Sequence, residues 1–143
     1  MTNRRRSEDG SAVVEFVFLV VILLIPLIYL VLTVARLQAA SFAVSTAARE
    51  AGRAFVTAPR HVSPQARAEA AAELAYADHG LDGGRVTIRC AADPCLSPDA
   101  RIEVQAAVDV PLPLLPAFLS DAWPLTVRVD GSYGATVDRF RER

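Results

Sequence analysis

The chain has 143 residues, 52% of them hydrophobic, with 15 basic and 16 acidic residues and a formal net charge of −1. A chain this close to neutral lacks the global pull on phosphate that nucleic-acid binding needs, so no nucleic acid is expected as a partner. The length leaves room for one small domain once a membrane span is subtracted.

Residues 1–10, MTNRRRSEDG, are polar and aperiodic and read as a cytoplasmic leader. From Phe16 to Ala35 the sequence runs FVFLVVILLIPLIYLVLTVA without a charge. A helix of about 20 residues rises about 30 Å, the thickness of a bilayer's hydrocarbon core, so residues 16–35 are the expected membrane span. Arg4, Arg5 and Arg6 precede it and Arg36 alone closes it. Positive residues resist translocation, which leaves the N-terminus in the cytoplasm and the chain after the span outside the cell membrane. A cleaved secretory signal is the rival reading, with Gln38-Ala39-Ala40-Ser41 as its cutting site. Its apolar region would be only about 7–15 residues, shorter than this run.

The first helix is predicted over 11–57, with Ser11 as N-cap, Glu15 in the early turns where the helix dipole favours an anion, and Pro26 in mid-span. Beyond the span, Ala40, Ala43, Ala47, Ala51 and Ala54 recur at steps of three and four. That narrow stripe of small residues either lets another subunit's helix approach closely or reflects plain alanine helix propensity. Arg49 and Arg53 beside it are candidate subunit contacts, or a solvated face.

A second helix is predicted from Pro64 to about His79, opened by Ser63 and closed by Gly80. Leu74 and Tyr76 are its only large apolar side chains. Period-two alternation then marks three strands, Arg85–Cys90, Arg101–Val110 and Leu125–Tyr133. The connection between the last two, rich in proline and apolar residues from Pro111 to Trp123, is neither regular helix nor central strand. It reads either as a cover over the sheet or as an exposed protein contact. The expected fold is α+β: a long N-terminal transmembrane helix, then a small extracytoplasmic domain over 58–143 with one helix against a three-stranded antiparallel sheet.

Cys90 and Cys95 bracket Ala-Ala-Asp-Pro. A disulfide is expected there, since it would persist outside the cytoplasm and a metal site would need more ligands than the distant His61 and His79 supply. Both histidines read as solvated surface groups. Neither a glycine-rich phosphate loop nor a G-x-S-x-G elbow occurs, so no enzyme, metal or cofactor is expected.

Gly10-Ser11-Ala12-Val13-Val14-Glu15-Phe16 opens directly onto the apolar run. Gly10 offers an accessible, extended backbone that a protease could hold. Glu15 places a carboxylate at the membrane edge, where it either meets a cationic partner or sits among the lipid headgroups. This segment, its span and the later Ala47-Ala48-Arg49-Glu50-Ala51-Gly52-Arg53-Ala54 together resemble the TadE-like family of tight-adherence (Tad) pilus systems. The resemblance covers roughly residues 10–55. It implies a minor pilin or pseudopilin cut after Gly10 by a prepilin peptidase, with Ser11 as the new N-terminus and Glu15 and Phe16 as recognition residues. It also implies other Tad pilus subunits as partners. The alternative is a signal-anchored extracytoplasmic binding domain that joins no filament.

Overall fold

A computed structural model describes residues 8–112 and 126–140. It contains α1 (Glu8–Val56), α2 (Pro64–Asp78), β1 (Arg85–Cys90), β2 (Arg101–Pro111) and β3 (Thr126–Thr136). The architecture is α+β, as expected. By contacts the chain divides into Met1–Ala35 and Arg36–Arg143. The second compact unit therefore begins inside the first helix, not after residue 57, because the helix residues from Ala40 onward belong to its core.

α1 is a single helix of 49 residues and continues through Pro26. It starts at Glu8, so Glu8, Asp9 and Gly10 are helical and Ser11 is not the N-cap.

α2 begins and ends where its punctuation places it. The Ser63 hydroxyl accepts from the Ala66 N–H at 3.3 Å, and Pro64 occupies the first turn. At the other end the Leu81 N–H donates to the Tyr76 carbonyl (3.0 Å) and the Gly80 N–H to that of Ala77 (2.9 Å). This double closure needs the left-handed φ of 63° at Gly80. Leu81 then folds back into the core. Of the two large apolar residues on α2, Tyr76 is buried and Leu74 is 65% exposed. Two residues apart on a helix is about 200°, so one faces inward and the other outward.

The sheet is an antiparallel meander, β1-β2-β3. Val104 pairs with Ile88 on one side and Tyr133 on the other. Strict alternation puts Ile102, Val104, Ala106, Val108 and Val110 inside, while Arg101, Glu103 and Asp109 are exposed on the outer face. β3 runs to Thr136, three residues past its predicted end, because Gly134, Ala135 and Thr136 still pair with Glu103, Ile102 and Arg101. Leu125, and the connection from Pro111 to Trp123 after residue 112, lie outside the described residues.

Two helical segments share the inner face of the sheet. From α1, Val44 approaches β3: a Cβ on Gly131 would lie 3.0 Å from its Cγ1. A Cβ on Gly52 would lie 2.9 Å from Tyr133 Cδ1 and 3.3 Å from Val104 Cγ2. From α2, the Tyr76 hydroxyl lies 3.3 Å from both the Arg85 and the Ala107 carbonyl oxygens and ties the helix to β1 and β2. Burial pushes the Tyr76 phenol above its ordinary pKa, so the ring stays neutral at physiological pH.

Candidate membrane anchor and helix-contact site

The N-terminal half of α1 meets the length and composition requirements for crossing a membrane, and its most apolar stretch is unburied within the chain. Phe16 is 67% exposed and Leu23 is 72% exposed, in a run that includes Leu24, Ile25, Leu27 and Ile28. Such a row of bulky aliphatic side chains is stable in lipid and costly in water, which makes the helix a candidate for single-pass anchoring. Glu15 is exposed on the same segment. Gly10 and Ser11 lie within the helical residues of α1. The extended backbone expected at Gly10 is therefore replaced by helix, and a peptidase would have to unwind the first turn to reach the bond after it.

The alanine stripe takes a different place from the one expected of a subunit contact. Ala40, Ala43, Ala47 and Ala51 are each 0% exposed and belong to the chain's own core. Their small size lets α1 lie close to the sheet of the same molecule, and a neighbouring helix does not reach them in this arrangement. Ala54 is half-buried. Arg49 and Arg53 are exposed on the outward side, where the Arg49 guanidinium Nε donates to the Ser45 carbonyl at 3.2 Å. Both remain available to a partner.

Phe42 is the outward residue that the sequence reading missed. It is 67% exposed, a large aromatic among the small and polar side chains of this half of the helix. Helical phase would have found it: Phe42 lies about half a turn from the line through Ala40, Val44, Ala47 and Ala51.

Cys90 and Cys95 form a disulfide with Cα atoms 5.3 Å apart, within the span such a bond needs. It ties the turn after β1 back to the end of that strand, and Cys95 and Leu96 pack on the core. Among the described residues no group of three His, Cys, Asp or Glu side chains is arranged to hold a metal. His61 and His79 are exposed.

These features define a class: a chain with one N-terminal apolar helix of membrane-spanning length, which continues into an α+β domain and supplies part of its core. Residues 10–53 match the family model of the TadE-like proteins, so the resemblance drawn from Gly10, Glu15-Phe16 and the Ala47–Ala54 segment holds over that stretch. The match suggests a Tad pilus-related component. No curated protein and no solved structure matches the chain.

Proposed function

We propose that the protein is a minor pilin- or pseudopilin-like structural subunit of a Tad pilus or a related secretion system. It acts by membrane insertion and helix packing and carries out no catalytic step of its own. The observation that carries the proposal is the TadE-like match over residues 10–53, which falls on a helix apolar and exposed enough to anchor the chain in a bilayer. Arg4, Arg5 and Arg6 before the span support an inward N-terminus, with the α+β domain on the outer side. A disulfide in that domain agrees with an oxidising compartment.

In this reading a membrane prepilin peptidase cuts after Gly10 once the first turn of α1 unwinds. The new ammonium at Ser11 gives a neighbouring Glu15 a cationic partner at the membrane edge, and other Tad subunits take up the processed helix.

Intact mass measurement of the native membrane protein tests this. Processing predicts a chain starting at Ser11. A start at Met1 or Thr2 favours the plain signal anchor, and a start near Ser41 would mean ordinary secretion. Glu15→Ala should abolish or sharply reduce pilus assembly while membrane insertion is retained; unchanged piliation would remove the pairing role.

A further inference from the structure

Resting on the reading of the chain as a membrane-anchored subunit with its α+β domain outside, we propose that a cleft beside α2 receives the outward face of α1 from a second copy of this chain. The cleft, of about 310 Å³, lies between the C-terminal half of α2, the turn that follows it and β1. Tyr76, Leu81 and Val86 give it an apolar floor, and Glu69, Glu73 and Asp82 stand at its rim. The Tyr76 ring lies flush against Gly84, where a Cβ would collide with it. Among the described residues the Glu73 and Asp82 carboxylates have no hydrogen-bond or ion-pair partner, and Glu69 accepts only from the Gln65 side-chain amide at 2.9 Å. An apolar floor ringed by such carboxylates fits an aromatic group flanked by cations.

The outward face of α1 has that composition. At about 100° per residue, Phe42, Arg49 and Arg53 fall within a sector of about 40°, while Glu50 is turned about 80° from Phe42. All three are exposed. Only Nε of Arg49 is engaged, with the Ser45 carbonyl.

Height decides the occupant. The Tyr76 hydroxyl reaches the carbonyl of Ala107, whose partner on β3 is Asp130. The next residue, Gly131, meets Val44, so Tyr76 and Val44 stand at about the same level on the sheet. From there α1 climbs along β3, because Gly52 meets Tyr133. α2 descends, because its last turn meets Arg85 at the start of β1, which runs parallel to β3. Counted from Tyr76 and Val44, Glu73 is level with Ala47 and Glu69 with Ala51. Arg49 and Arg53 lie two residues above those levels, a rise of about 3 Å, and share the four-residue spacing of the two glutamates. Two copies anchored by the same span stand at equal depth. One copy's Arg49 and Arg53 therefore come within side-chain reach of the other's Glu73 and Glu69, and Phe42 falls at the lower end of the cleft. A different polypeptide is not bound to that height. Arginine face on arginine face, or cleft on cleft, would oppose like charges. The contact is thus head-to-tail, and each copy keeps one surface of each kind for the next.

The test uses the full chain in its native membrane, with a photoreactive phenylalanine analogue in place of Phe42 and a second, tagged copy co-expressed. Light should join the two copies, with the adduct mapped by mass spectrometry to residues 73–84 of the tagged chain. Arg49→Glu with Arg53→Glu should lower that yield about tenfold, since two attractions become repulsions, and Glu69→Arg with Glu73→Arg should do the same. All four substitutions in one chain reverse the complementarity and should return the yield to within about twofold of the original. The four side chains are exposed, so the domain keeps its fold throughout. Adducts only to lipid, to another protein or to the tagged copy's α1, or a fourfold exchange that restores nothing, would each overturn the inference. Intact mass of the same sample keeps it separate from the proposed function: an uncut chain that still forms the adduct supports the contact and removes the processed-pilin reading, whereas a chain starting at Ser11 without the adduct removes the contact alone.

Discussion

The two halves of α1 share one helix but follow different packing rules. Between Phe16 and Val34 the side chains are mostly large, and those with large apolar groups are exposed. Between Ala40 and Ala51 the inward side chains are small, and Ala40, Ala43, Ala47, Ala48 and Ala51 are fully enclosed. Bulk on an exposed helix is stable only where the surroundings are themselves apolar, so the first half requires lipid or protein around it. Alanine on a buried helix serves proximity: with little more than a Cβ to accommodate, the backbone comes close enough to the sheet for Gly52 to sit against Tyr133 and Val104. The same residue class, apolar, therefore has opposite meanings on either side of Ala35. Side-chain volume is what separates them.

Exchanging those volumes is the most direct way to break the contrast. Ala47→Leu places a large side chain where none fits and should cost about 3 kcal/mol, the upper end of ordinary overpacking. Thermal unfolding of the detergent-solubilised chain should show the domain's Tm lowered by roughly 10 °C or more. Leu24→Ala, a volume change in the other half, should leave that Tm where it was; an equal shift from both variants would dissolve the distinction.

Opening the Cys90–Cys95 bond should have the next largest effect. A disulfide closing so short a loop contributes about 2 kcal/mol through the unfolded chain. Urea unfolding with and without reductant, followed by near-ultraviolet circular dichroism, measures it, and the helicity of the span should be indifferent.

Tyr76→Phe should cost about 1 kcal/mol by removing the hydroxyl from the Arg85 and Ala107 carbonyls. It should also change the pH dependence. The folded-state pKa of Tyr76 lies above the ordinary value of 10.0, so the native chain holds that proton where the unfolded chain has released it. The associated stability is fully present below about pH 10 and is lost as pH rises through the folded pKa. Native Tyr76 should thus contribute a loss of stability in the alkaline limb that the Phe variant lacks, as read by unfolding titrations across that range. The smallest effect belongs to Arg85→Ala, which removes an ion pair with Asp109 whose side chains are 69% and 45% exposed. Less than about 0.5 kcal/mol should be lost, and less still at high salt.

Much of this fold is legible residue by residue. Ser63, Pro64 and Gly80 announce the ends of α2 because caps act through hydrogen bonds to neighbours a few positions away. The alternation of β2 announces its buried side for the same local reason. Of the candidate site, the exposed apolar span and its acidic residue were legible, and so was the Cys90–Cys95 pairing. The alanine stripe was legible as a contact surface but not as to its occupant, since a helix of another subunit and the sheet of the same chain ask for the same small residues. Phe42 was concealed by reading α1 for its average hydrophobicity instead of its helical phase.

By itself the sequence determined where the helices and strands run and which stretch is apolar enough for a bilayer. Those properties depend on residues within about one or two turns of each other, and each chain segment carries its own instructions for them. Only the tertiary structure decided that the second half of α1 lies against β2 and β3, that Tyr76 turns inward while Leu74 faces out, and that the compact unit begins at Arg36. Burial is settled between groups distant in the chain, such as Val44 and Gly131, and no local pattern specifies which distant surface a helix will meet.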